Sequence, residues 1–372
     1  MKLERLELRR IALDLVTPFR TSFGVETSRD ILLTHVTTDA GEGWGECVAS
    51  HEPAYSPEFV EGCALVIQEH LWPAMLAAGI GSASDVAPVL ARLKGHQMAK
   101  AALEMAVLDA ELRANGTSWK RELGSTRDRI PSGVSVGIFD TLDELSLQVA
   151  GYIDDGYVRI KLKIEPGWDI APVRMIRDQI GPGVPLQVDA NTAYTRDDIG
   201  HLCKLDEFDL LLIEQPLPEE DILGHAELAR ASATPVCLDE SVISIQTAVD
   251  AIELGAAEII NIKPGRVGGY LNAVRIHDLC VARGVPVWCG GMVETGIGRA
   301  ANAGLASLPG FTLPGDISAS TRFYAHDIVV DPITLDDGHV TVPTSPGLGF
   351  ELDREFLNSI TTSTLELTVN GR

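Results

Sequence analysis

The sequence predicts an α/β fold: a (β/α)8 barrel of the modified TIM type with an α+β capping domain. Three observations lead there. Short apolar runs, each followed by a helical stretch, recur eight times from about residue 131 onward, which fits a closed barrel better than an open doubly wound sheet. Lys163, Asp189, Glu214, Asp239 and Lys263 each sit at or just after the end of such a run, at intervals of 26, 25, 25 and 24 residues, so they hold equivalent positions on successive strands. The first 115 residues read differently, strands first and helices afterwards, the order of a separate α+β unit.

In chain order, Leu3, Leu6, Leu8 and Ile11 open one strand and Ile31 to Thr37 form another, with a turn at Asp39-Ala40-Gly41-Glu42-Gly43. The polar, glycine-bearing stretch Pro18 to Ser28 between them reads as a loop. Helical period then takes over. One helix covers Glu58 to Ala77 and another Ala99 to Ala114, with Ala102, Met105, Ala106 and Leu112 as its apolar stripe. The barrel strands follow at Val134-Ser135-Val136, Val158 to Ile164, Leu186-Gln187-Val188, Leu210 to Ile213, Val236-Cys237-Leu238, Ile259 to Ile262 and Val285 to Trp288. The weakest is the eighth, Phe311-Thr312-Leu313. Past residue 322 strand-and-turn grammar returns in Ile328-Val329-Val330 and Val340-Thr341-Val342. At about 150 residues per domain the 372 residues allow two or three domains. The expected division is 1–125 for the cap, 126–321 for the barrel and 322–372 for a C-terminal segment returning to the cap.

Composition narrows the function. Apolar residues make up 45 %, enough for a large core and outside the disordered and low-complexity classes. Against 30 Lys and Arg stand 53 Asp and Glu, a net charge of −23, which repels nucleic-acid backbones and anionic membranes. Neither is expected as a partner. No apolar stretch approaches the roughly 18–20 residues of a spanning helix, and Met1-Lys2-Leu3-Glu4-Arg5 lacks the apolar core of a signal peptide. Cysteines at 47, 63, 203, 237, 280 and 289 form no Cys-x-x-Cys pair, which argues against a zinc ribbon or a disulfide scaffold and for a reducing cytoplasm. A homo-oligomer is expected.

The five-residue ladder carries the chemistry. In a barrel these are the C-terminal strand ends, where active sites are built; similar steps reach Ser135 below and Gly291 and Asp316 above. Asp189, Glu214 and Asp239 would converge on one side of the mouth and repel one another unless a cation neutralises them. With oxygen ligands only, Mg²⁺ is favoured first and Mn²⁺ second. Lys161 and Lys163, two apart on one strand, point to the same face, and Lys263 lies across the mouth. A lysine beside another ammonium and a divalent ion has its neutral form favoured, as a general base requires. Two such bases around a metal-held carboxylate suit removal of its α-proton through an enediolate.

These residues resemble the enolase superfamily, in the segments Lys161-Leu162-Lys163, Val188-Asp189-Ala190-Asn191, Ile213-Glu214-Gln215-Pro216, Leu238-Asp239-Glu240-Ser241 and Asn261-Ile262-Lys263-Pro264. Lys-x-Lys on the second strand with a Lys on the sixth is similar to the muconate-lactonizing-enzyme subgroup. The absence of His between residues 285 and 300 disfavours the mandelate-racemase pattern. Over essentially the whole chain the sequence resembles the o-succinylbenzoate synthase / N-succinylamino acid racemase family. Further matching segments are Pro18 to Gly24, Ser135-Val136-Gly137, Lys263 to Gly269, Gly290 to Gly296 and Leu313 to Asp316. The resemblance implies that Lys163 and Lys263 are the acid/base pair and that Asp189, Glu214 and Asp239 bind the metal. It implies that Ser135, Gly291 and Met292 line the substrate end and that Arg266 goes with racemase activity. Lys161, Asn191 and Phe23 complete the expected substrate contacts, Phe19 and Phe23 covering the substrate from the Pro18–Ser28 stretch. Dipeptide epimerases of the subgroup carry Asp-x-Asp on strand eight, whereas Asp316 is followed by Ile317-Ser318.

The expected function is therefore divalent-ion-dependent proton abstraction from a succinyl-bearing carboxylate, either dehydration to o-succinylbenzoate or racemisation of N-succinylamino acids. Other muconate-lactonizing-subgroup reactions (dipeptide epimerase, cycloisomerase), a Schiff-base aldolase using the strand-six lysine and a non-catalytic metal-binding scaffold are the alternatives. Gly296-Ile297-Gly298-Arg299-Ala300-Ala301 matches a dinucleotide fingerprint, but in the seventh unit rather than the first βαβ, so it reads as a glycine-bearing helix start.

Overall fold

The computed structural model describes residues 1–369. Strands β1 (Leu3–Thr21), β2 (Gly24–Thr38) and β3 (Gly41–Cys47) form an antiparallel meander. The stretch expected as a loop is the far end of its first hairpin. Phe19 pairs with Glu26, Arg20 with Val25 and Thr21 with Gly24, so only Ser22 and Phe23 make the turn. Polar composition misled here because the hairpin end leaves the meander's core and docks elsewhere: Ile138 N donates to Arg20 O (2.9 Å) and Ser22 Oγ to Ala190 O (3.1 Å).

The helix expected over Glu58 to Ala77 runs from Val60 to Ala78 with a π-helical turn at Ile67–Leu71. The next, Gln97–Ala114, is buried nearly all round, which explains why its sequence shows so little polar face. It lies on β3 with no side chain between them: a Cβ on Gly43 would meet Ala106 O at 2.2 Å, and one on Gly45 would meet Ala102 O at 2.1 Å. Gly45→Ala is expected to destabilise the protein by about 3 kcal/mol or more, because backbone cannot step aside as a side chain can. A fall in the denaturant midpoint at unchanged slope measures it.

After a short strand β4 (Arg129–Pro131) come the parallel strands β5 (Gly133–Val136), β6 (Arg159–Lys163), β7 (Leu186–Asp189), β8 (Ile213–Glu214), β9 (Val236–Leu238), β10 (Ile259–Ile262) and β11 (Val287–Cys289), each paired with its neighbours in chain order. The eighth position holds no strand. Pro309 and Pro314 cannot donate to a ladder, so residues 311–316 close the curled sheet by single bridges, Phe311 to Val287 and Gly315 to Ser132. Asp316 N also reaches Cys289 O (3.0 Å), and Gly133 N reaches Gly315 O (2.8 Å).

The segment after residue 322 divides. Strand β12 (Leu335–Asp336) pairs with β13 (His339–Thr341) and β13 with β4, beneath the N-terminal ends of β5 and β6, where Ser132 N donates to Gly338 O (2.9 Å). Only β14 (Thr361–Thr368) joins β1 in the meander. The expectation that all of 322–372 returns to the cap is corrected for 335–341: Val340, the buried residue of that hairpin, finds its partner in Ile130. Ile328 to Val330 forms no strand, only a bridge from Val329 to Leu352.

The helix Gly296–Ala306 after β11 starts on carboxylates from both ends of the chain. Glu46 of β3 accepts from Thr295 N (3.0 Å) and Gly298 N (3.1 Å), and Asp327 accepts from Gly296 N (2.8 Å). Its glycines therefore serve close packing; a Cβ on Gly296 would lie 2.2 Å from Val329. Among the described residues no single helix is long and apolar enough to cross a membrane.

Candidate active site

Alternation along β6 puts Arg159, Lys161 and Lys163 on one face, and all three are buried. They point into the barrel, where each meets carboxylates from neighbouring strand ends. Lys163 Nζ donates to Asp189 Oδ2 (2.6 Å) and Asn191 Oδ1 (2.5 Å). Lys161 Nζ contacts Glu214 (3.0 Å), Asp189 (3.1 Å) and Asp316 (2.6 Å) and lies 4.9 Å above the Trp288 ring. Arg159 sits deepest, 2.8 Å from Asp316 Oδ1, an ion-pair distance without hydrogen-bond alignment. From β10, Lys263 Nζ donates to Asp239 Oδ2 (2.6 Å), and Asn261, two residues earlier on the same face, donates to Glu214 (2.7 Å). Asn191, Thr192 and Gln215, just past β7 and β8, have φ of +41°, +67° and +37°, a strained turn-out of the kind found at functional sites.

Lys163, Lys263, Asn191, Gly291, Met292 and Phe23 line one cavity under the hairpin end. Ser135 and Lys161, again with Lys163, Lys263 and Gly291, line its continuation toward β5. A larger surface cleft along the hairpin, bounded by Arg10, Val25, His51 and Thr362, contains no lysine and shares Phe23 and Tyr55 with that cavity. Gly290 and Gly291 are small for a reason: a Cβ on the first would meet Asn261 at 2.3 Å and Lys263 Cε at 2.7 Å, one on the second Asp316 O at 2.9 Å.

Arg266 is placed differently from expectation. It lines neither part of the cavity; it donates to Glu240 O (2.5 Å) and lies 5.2 Å over the Tyr55 ring. Tyr55 was not singled out by the sequence, yet its hydroxyl accepts from Lys263 Nζ (3.0 Å) and donates to Asp239 Oδ2 (3.2 Å). It arrives from the segment after β3, so no strand register pointed to it. Glu240, adjacent to Asp239, accepts from Asn191 Nδ2 (2.8 Å) and was likewise not assigned a role.

Burial works against the Lys263 ammonium, but Asp239, Tyr55 and Glu240 outweigh it and hold its pKa well above the ordinary lysine value. Burial likewise opposes the Lys161 charge, and Asp316, Glu214 and Asp189 raise its pKa. The carboxylates facing them favour the ammonium form of both lysines. The carboxylates show the complementary excess. Burial and repulsion from Asp189 and Asp239 push Glu214 up to about 8, while burial with Asp239 and Asp189 pushes Glu240 up to about 7.

Among the described residues no three His, Cys, Asp or Glu side chains form a ready-made metal cluster; each carboxylate is drawn to an ammonium. The donor set nevertheless fits a hard cation. Asp189, Glu214 and Asp239 offer only oxygen, all are buried, and Asp239 Oδ1 and Glu240 Oε2 are buried without a hydrogen-bond partner, a cost that a cation removes.

A curled parallel sheet with opposed lysines and acids at its strand ends, roofed by an antiparallel meander, defines a protein of the enolase superfamily, and sequence comparison agrees. Residues 7–124 match the mandelate racemase / muconate lactonizing enzyme N-terminal domain and residues 144–356 the enolase C-terminal domain-like family; the chain belongs to the muconate-lactonizing subgroup of that superfamily. It is 61 % identical over 363 residues to an N-succinylamino acid racemase of an Amycolatopsis species, covering 98 % of each chain. To the o-succinylbenzoate synthase of Bacillus subtilis it is 42 % identical over 372 residues, covering all of both. The crystal structure of an enolase-superfamily member from Listeria innocua superposes with a TM-score of 0.95 at 39 % identity over the full length of both chains. The chain is thus an enzyme of a family whose similar relatives include an isomerase and a lyase.

Proposed function

We propose that the chain abstracts the α-proton of a succinyl-bearing carboxylate, to racemise N-succinylamino acids, to dehydrate a precursor to o-succinylbenzoate, or both. The observation that carries this reading is that Lys163 and Lys263, from β6 and from the end of β10, reach one cavity while anchored to different carboxylates, Asp189 and Asp239. A substrate α-carbon between them presents one face to each lysine. The lysine on the proton's side takes it, and the other, as ammonium, returns one from the opposite side. Lys161, held on three carboxylates, places fixed positive charge beside the enediolate oxygens. A divalent ion, magnesium first and manganese second, would be held by Asp189, Glu214 and Asp239 and supplies further positive charge to the substrate carboxylate. Asp239, one of the residues that would hold the ion, is also the main group that raises the Lys263 pKa.

Arg266 supports the racemase arm, because it acts on Lys263 through Tyr55. Racemisation needs Lys263 to carry a proton, whereas dehydration needs proton removal on one face only. Asp316 disfavours dipeptide epimerisation: it is already engaged by Lys161 and Arg159 and is not free for a substrate ammonium. The six cysteines are all unpaired, which supports work in a reducing cytoplasm.

Complete chelation is expected to abolish turnover of N-succinylamino acids and of the synthase precursor, with recovery on adding Mg²⁺, and Glu214→Ala is expected to leave neither activity. Turnover that persists in a chelated sample overturns the metal assignment. A loaded enzyme inert toward both substrates overturns the substrate class.

A further inference from the structure

We propose that a cleft behind the Phe19–Phe323 wall of the catalytic cavity is a second binding site, for a small carboxylate held by Arg322. The cleft has a volume of about 400 Å³ and is bounded by the end of β1 (Thr17), the helix Leu142–Asp154 (Gln148, Tyr152) and the tail (Arg322, Thr334). That is within the range of small-molecule sites, about 300–1,000 Å³. It shares no lining residue with the catalytic cavity.

Arg322 is the only Lys or Arg that lines it, and among the described residues it has no carboxylate partner. Its guanidinium lies 4.7 Å from the Phe323 ring, 5.1 Å from Tyr152 and 5.6 Å from Phe19. Nη2 donates to Ser135 O (3.1 Å), while Nε is buried with no acceptor. Across Phe323, Arg299 is also held without an acid, by the backbone oxygens of Glu294 and Ser318 and by the Ser318 hydroxyl. Two guanidiniums therefore flank one aromatic ring, neither in an ion pair among the described residues. A polar concavity around such uncompensated charge gathers anions.

The lining selects the anion. With Nε buried and Nη2 on Ser135 O, the rest of the Arg322 guanidinium suits a charge-assisted hydrogen bond to a carboxylate. Thr17 and Thr334 add polar lining to the cleft, and Val16 and Leu335 suit a short aliphatic tail. Asp155, also on the lining, disfavours a dianion such as phosphate. The site bears on catalysis because Arg322 holds Ser135 O and backs Phe19 and Phe323, both of which face the lysines.

The test is binding of carbon-13-labelled sodium acetate to the full-length protein, followed by NMR at fixed ionic strength, in wild type, Arg322→Gln and Thr334→Trp. Thr334 is exposed at the rim, so its replacement plugs the cleft and leaves the Arg322–Ser135 contact alone. Acetate affinity at this site is expected to fall about tenfold or more in both variants, and inorganic phosphate at equal concentration is expected not to displace acetate from wild type. Wild-type acetate binding in either variant overturns the site. Displacement by phosphate overturns the carboxylate assignment. The readout needs no turnover, so it fails or succeeds independently of the reaction proposed above.

Discussion

Lys263→Ala is expected to abolish racemisation but still to exchange the α-proton of one enantiomer with deuterated solvent; Lys163→Ala is expected to show the same loss and to exchange the other enantiomer. This is the expected result if each lysine serves one face. Removing a positioned general base costs about 10²–10⁴-fold, so both losses are large. The surviving exchange is selective because the remaining lysine can take and return a proton only on its own side. For the dehydration, Lys163 is the expected base and Lys263 mainly a cation near the developing charge. Single-lysine variants that exchange both enantiomers equally, or that keep near-full racemase activity, would overturn the division of labour.

Asp316→Ala is expected to lower the stability of the protein by about 3–5 kcal/mol, the usual cost of leaving a buried charge without its partner. The fully buried Arg159 loses its one carboxylate among the described residues, and Lys161, 2 % exposed, loses one of its three. Burial alone would push the Asp316 pKa up, but Lys161 and Arg159 outweigh it and hold the carboxyl well below its ordinary range. Its stabilising share is therefore complete above the unfolded value of about 4 and is lost as pH falls below it toward the folded value. Denaturant midpoints of wild type and variant should differ most near neutrality and converge in acid. A difference that grows on acidification would contradict the pairing.

The sequence was most legible where strand register repeats. Lys163, Asp189, Glu214, Asp239 and Lys263 could be aligned because one strand–helix unit separates each from the next, and alternation then placed Lys161 beside Lys163 and would have placed Asn261 beside Lys263. Legibility ended where a contact depends on how separate parts of the chain dock. Tyr55 reaches Lys263 only because the segment after β3 folds over the mouth, and nothing between His51 and Glu58 announces it. The hairpin end at Pro18–Ser28 looked like a loop because its residues face a barrel mouth rather than an apolar core. Arg266 matched a pattern, but its stacking on Tyr55 could not be read from that pattern. The eighth barrel position was weak in sequence for the reason it is irregular in space, prolines where ladder donors are needed.

The helix that follows β11 begins on Glu46 from near the start of the chain and on Asp327 from near its end. Until both arrive, the first amides of that helix are left without acceptors inside the protein. The barrel's seventh unit is thus completed by residues that lie some 250 positions upstream and 31 downstream of it. Releasing the meander uncaps a helix inside the barrel, and fraying the tail does the same from the other side. The stability of the barrel is coupled to that of the meander, and a fragment that begins after residue 125 would lack the Glu46 carboxylate on which that helix starts.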